Sequence, residues 1–116
     1  MTKNDLADLI LICIADAHEQ ARNEPEPARW REWDFERWQI NQEFGPVYST
    51  VRWFGALAAS ERDRVRCLRC VYRLRDAGLV EVIKDRWGSK VERVRLTTAG
   101  SEAVAELRGA AAQAVS

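Results

Sequence analysis

The stretch RDRVRCLRCVYRLRDAGLV, residues 62–80, joins a C-x-x-C pair to six arginines within residues 62–75. Cys67 and Cys70 have the spacing of a zinc knuckle or a redox dithiol, and the arginines have the chemistry of phosphate and guanine recognition. A zinc site needs two more ligands, and the chain offers only His18, Cys13 and carboxylates at no motif spacing. Helical spacing separates the two groups. Cys67, Cys70, Val71 and Leu74 fall on one stripe, and Arg62, Arg66, Arg69 and Arg73 fall on another, flanked by Arg64 and Tyr72. The thiols therefore read as small core hydrophobes, the arginines as an outward face, and no metal or cofactor is expected.

The basic charge is local. The formal net charge is zero, yet residues 1–59 hold six Lys and Arg against ten Asp and Glu, a balance of −4. Residues 60–95 hold eleven against six, a balance of +5, and the last 21 residues one against two. Concentrated positive charge in a neutral chain points to a polyanionic partner. A solvated helix face is the plain alternative.

Other chemistry finds little support. No nucleophile stands beside a base, no glycine loop is built for phosphate, and His18 is the one histidine. His18 reads as a surface or interface residue, and the chain is not expected to be an enzyme. The longest apolar run, Leu9 to Ala15, is too short for a bilayer and lacks the basic flank of a signal peptide. Three cysteines form no disulfide framework, so a reduced cytoplasmic protein of one domain, residues 1–116, is expected.

The elements that position the arginines follow from periodicity. Residues 4–21 read as a helix, with Leu6, Leu9, Ile10, Cys13 and Ala17 at helical spacing and Ile12 and Ile14 widening the stripe. So wide a stripe needs a second cover, either another copy of the chain or the Trp-rich segment 25–45. In that segment Trp30, Trp33 and Trp38 suit a small-molecule pocket, a dimer core, or stacking on single-stranded bases; its balanced charge argues against the last. Residues 49–60 read as a short helix. Ser60, with Asp63 three positions on, caps a helix over 61–77, and Gly78 ends it. The period then changes to two. LVEVIKDR and VERVRLT read as a hairpin turning at Gly88, with Val80 and Val82 on one strand facing Val94 and Leu96 on the other, and with Lys84, Arg86 and Lys90 near the tip. Thr97 or Thr98 caps a last helix over 98–115, whose apolar face is Ala103, Val104, Leu107, Ala111 and Ala114.

This order, a mainly α (α+β) chain with a two-stranded β-hairpin, is that of a winged helix-turn-helix. LRDAGLVEV, a basic hairpin and VRLTTAG together resemble the MarR/PadR-type winged-helix regulators over residues 49–108. The acidic, Trp-rich segment 25–45 departs from that pattern. The resemblance implies a transcriptional regulator that binds double-stranded DNA as a homodimer, with helix-turn-helix and wing together spanning residues 49–97, the helix 61–77 in the major groove and the hairpin as the wing. Arg66 and Arg69 are expected on base edges, and Arg62, Arg64 and Arg73 on phosphates, with Tyr72 beside them. Lys84, Arg86 and Lys90 belong to the wing, and Ser49 or Thr50 can bond a phosphate. Dimerisation is expected through residues 4–21 and 98–115, with a small-molecule effector conceivable at the tryptophans. A winged helix serving only protein–protein contact is the alternative. Six arginines are unusual for the centre of such an interface.

Overall fold

A computed structural model describes residues 3–115 of the chain, and side chains from Asp5 to Gln113. Five helices and one antiparallel hairpin follow in the order α1 (Lys3–Arg22), α2 (Glu32–Phe44), α3 (Thr50–Phe54), α4 (Glu61–Asp76), β1 (Val80–Lys84), β2 (Val91–Leu96) and α5 (Thr98–Val115). The expected helix over 49–60 is shorter than its sequence suggests. Gly55 takes a φ of +53°, and Gly55–Ala58 continues as a 3-10 turn.

α1 is the central helix, packed against α2, α3, α4, β2 and α5. Its buried stripe is rotated from the one that spacing suggests. Leu6, Ile10, Leu11, Ile14 and Ala15 are buried, whereas Leu9, Cys13 and Ala17 are half-buried. The second cover for this wide stripe comes from the chain's own elements, chiefly β2 and α5 on one side and α3 and α4 on the other. Ile10, Leu11 and Ile14 meet Phe54, Cys67, Cys70, Val71, Val94 and Val104 in one continuous core. Each fully buried aliphatic side chain here contributes about 1.5–3 kcal/mol relative to exposure.

The caps follow local sequence. Ser60 accepts a hydrogen bond from the Asp63 N–H at 3.1 Å, starting α4. At its other end Gly78 has a φ of +80°. There the Gly78 N–H donates to the Arg75 carbonyl and the Leu79 N–H to the Leu74 carbonyl, each at 2.9 Å, closing a Schellman motif. Thr97, the first of the two candidate caps, accepts from the Gly100 N–H at 3.0 Å and donates to the Gly78 carbonyl at 2.7 Å. One threonine thus ties the end of α4 to the start of α5.

The strands pair as their alternation implies, Val80 with Leu96 and Val82 with Val94, and the register slips between Ile83 and Lys84. On α5, Val104 is buried, Ala103 and Leu107 are half-buried, and Ala111 is exposed; the side chain of Ala114 lies outside those described. No described helix is long and apolar enough to cross a membrane.

Candidate nucleic-acid interface

α4 positions the arginines by burying its other face. Cys67 and Cys70 are 0% and 2% exposed, beside Val71 and Leu74. The Cys67 thiol donates to the Leu57 carbonyl at 3.4 Å, and burial pushes its pKa up. Burial also raises that of Cys13. Cys67 and Cys70, buried against Val71 and Leu74, pack as small hydrophobes. Among the described residues no three His, Cys, Asp or Glu side chains gather as a metal site would require.

With the cysteines inward, Arg62, Arg66, Arg69 and Arg73 form an exposed stripe on the far side of the helix. Arg66 leans on Asp63 at 3.3 Å, one turn back. Among the described residues Arg62, Arg69 and Arg73 have no carboxylate within ion-pair distance. Three of the four guanidiniums therefore contribute positive field that no ion pair offsets. Arg64 is placed differently. It sits nearly opposite Arg62 around the helix and pairs with Glu61 at 2.6 Å, so it braces the first turn of α4.

Tyr72 joins this stripe to the hairpin. The Lys84 ammonium lies 5.8 Å from its ring centroid and the Arg75 guanidinium 4.7 Å. Lys84 ends β1 beside the turn, paired with Val91 and so near the tip as expected, and from there it reaches the Tyr72 ring on α4. Arg75 was not among the expected residues. Its three-residue spacing from Tyr72 was the available signal.

The hairpin tip is a built turn. The Asp85 carboxylate accepts from the Trp87 and Ser89 N–H groups at 3.2 and 3.0 Å and from the Ser89 hydroxyl at 3.2 Å. These bonds, the Ser89 N–H first, hold its pKa below the usual carboxylate range. Gly88 takes the left-handed conformation the turn needs, with a φ of +71°. Arg86 stacks over Trp87, guanidinium to ring centroid 4.7 Å, and Trp87 is 75% exposed. Arg86 and Lys90 are both exposed at the tip. Before α3, Ser49 caps the helix by accepting from the Arg52 N–H at 3.3 Å, and Thr50 beside it is half-buried.

Trp30, Trp33 and Trp38 do not converge on a pocket within the chain. Trp30 and Trp33 are 82% and 87% exposed. Trp38 is half-buried, and its indole N–H donates to the Glu24 carbonyl at 3.0 Å. An open cleft of about 770 Å³ lies between α1, α2 and α3, lined by Cys13, Ala17, Asn41, Val47 and Arg52, but its tryptophan is Trp53. Nor is His18 a surface residue. It is half-buried where α1, α2, α3 and β2 meet. Nε2 donates to the Val94 carbonyl at 2.7 Å, the ring lies edge-on to Trp53, and Gly45 approaches so closely that a Cβ there would stand 2.6 Å from the His18 Cε1.

No family model matches the chain, and neither a curated protein nor a solved structure matches it at a significant level.

Proposed function

We propose that the chain is a sequence-specific double-stranded DNA-binding protein, a homodimeric transcriptional regulator of the winged helix-turn-helix kind, and a binding protein rather than an enzyme. The observation that carries this reading is the exposed arginine stripe of α4, in which Arg62, Arg69 and Arg73 have no carboxylate partner among the described residues, continued through Tyr72 to Lys84 on the hairpin. A stripe on a helix matches the major groove, which admits one α-helix and displays a distinct donor and acceptor pattern for each base pair. Arg66 and Arg69, near the middle of α4, take base edges; bidentate bonds to guanine O6 and N7 are the strongest fit for a guanidinium.

Arg62 and Arg73 grip phosphates on either side, and Arg86 and Lys90 reach the backbone or minor groove from the wing tip. Arg75 extends the positive surface where α4 meets the hairpin. Arg64 keeps a structural task through Glu61. One such unit reads only a few base pairs, so two copies related by a two-fold axis would read an inverted repeat.

Selection from a pool of random duplexes tests the reading. The expected result is enrichment of an inverted repeat whose half-site centres lie about 10 base pairs apart, or a multiple of that. Retention of DNA without enrichment would reduce the reading to nonspecific binding, and no retention would reject it.

A further inference from the structure

α2 is the one long helix among those described that buries no residue. It is held by polar bonds. Gln42 Nε2 donates to the Ala21 carbonyl at 2.6 Å and the Trp38 indole to the Glu24 carbonyl, so α2 satisfies carbonyls at the end of α1. Its inward residues, Asp34, Phe35, Trp38 and Asn41, are half-buried. The opposite face carries Trp33, Ile40 and Phe44, with Trp30 in the turn two residues before the helix, and all four are exposed. Trp33, Ile40 and Phe44, seven and four residues apart, make a single stripe, with Glu36 and Arg37 filling the gap between Trp33 and Ile40. Tryptophan so exposed is the residue most enriched at the energetic centres of interfaces.

We infer that this face is the two-fold contact between two copies of the chain, with α2 packed antiparallel on the α2 of the partner. The charges say what covers it. Antiparallel pairing centred between Glu36 and Arg37 sets Glu36 against the partner's Arg37, and Arg37 against the partner's Glu36. The same register sets Trp33 against the partner's Ile40, and brings Arg29 and Arg31, the latter already paired with Asp34 at 2.9 Å, to the partner's Glu43. Parallel pairing would set Glu36 on Glu36 and Arg37 on Arg37, which is repulsive. A face whose apolar residues flank a central Glu36–Arg37 pair, balanced in charge and self-complementary, fits a copy of itself better than a polyanion or a strongly charged protein. A 13-residue helix is about 20 Å long, so the contact lies at the small end of specific interfaces and forms a reversible dimer.

This contact differs from the expected one through residues 4–21 and 98–115. α1 is already covered within the chain, whereas α5 still exposes Ala110, Ala111 and Ala112. The inference rests on the proposed function only for the use of the dimer on DNA; the contact is tested without DNA.

Sedimentation equilibrium of the full chain is the test. The wild type is expected to show a concentration-dependent dimer. Trp33→Ala should weaken it at least tenfold, a change of about 1.4 kcal/mol, with unchanged helical circular dichroism. Glu36→Arg and Arg37→Glu should each weaken self-association, and mixing the two variants should restore a heterodimer, because the like charges then face opposite ones. A monomer at every attainable concentration would overturn the inference. So would a dimer indifferent to Trp33→Ala and Arg37→Glu but abolished by Ala111→Glu, which would place the contact on α5. Loss of DNA binding alone leaves the sedimentation result untouched, so the two readings fail separately.

Discussion

Gly100 lies directly on the carbonyl oxygen of Leu79. A methyl group at Gly100 would stand 1.9 Å from that oxygen and 3.0 Å from its carbon. The first turn of α5 therefore rests flat on the turn that ends α4, where Thr97 also bonds the Gly78 carbonyl. The hairpin springs from this junction, so its angle to the arginine stripe is fixed by backbone contact.

Gly100→Ala should accordingly be among the most damaging single methyl additions in the chain. Backbone cannot swing aside as a side-chain tip can, so the expected loss is about 2 kcal/mol or more, roughly 8 °C or more in Tm for a domain of this size. Gly109, in the exposed part of the same helix, has nothing within 4 Å of an added Cβ. Gly109→Ala should gain up to about 1 kcal/mol from helix propensity. Thermal melts of the two variants beside the wild type decide the matter, and equal effects would contradict the close contact.

Tyr48 presents the opposite case, a polar atom the fold would do better without. Its ring lies edge-on to Trp53 and Phe54, with centroids 5.3 and 6.0 Å away, while its hydroxyl is buried without a partner among the described residues. Burial drives its pKa above the ordinary tyrosine range. Tyr48→Phe keeps the ring contacts and removes the unpaired hydroxyl. The expected result is a gain of about 1 kcal/mol in urea unfolding. A loss of that size would show that the hydroxyl has a bonding partner.

His18 gives the fold a pH dependence of known sign. Burial, the largest cause, lowers its pKa, as do Arg22 and Arg95, against the raising effect of the Val94 carbonyl. The folded chain thus favours neutral imidazole more than the unfolded chain does. The corresponding stability is complete above the unfolded value of about 6.5 and is lost as pH falls from there through the lowered folded value. Tm of the wild type should therefore fall between about pH 7.5 and pH 5.5, a range in which ordinary carboxylates hardly titrate. His18→Gln should show a flatter profile. Parallel profiles would remove His18 as the cause.

The parts legible in the sequence were those with a strict local period. The α4 faces, the Ser60 and Thr97 caps, the Gly78 stop and the Val80–Leu96 and Val82–Val94 pairs all follow from spacing within one or two elements. The phase of α1 did not, because a central helix packed on several sides carries no single stripe. α2 was obscure for the contrary reason. Its bonds to α1 are polar, through Gln42 and Trp38, so its apolar stripe faces solvent and mimics a core pattern. His18 and Gly45 come together only through the packing of three elements, and no local pattern announces that. On the hairpin, Lys84 lies beside the turn as its spacing implies, but its contact with Tyr72 joins two elements and no local pattern announces it.

The most direct test of DNA recognition by α4 is fluorescence anisotropy of a labelled duplex, titrated with wild type and with Arg66→Ala/Arg69→Ala at several salt concentrations. The expected wild-type result is log affinity falling linearly with log salt. The slope should be about −3 to −4 per protomer if Arg62, Arg73, Arg86 and Lys90 each neutralise one phosphate. On a selected duplex the double variant should lose about 1–3 kcal/mol for each guanine contact removed, while its salt slope stays near that of the wild type. No binding at low salt, or binding unchanged in the double variant, would contradict the assignment of the arginine stripe to DNA.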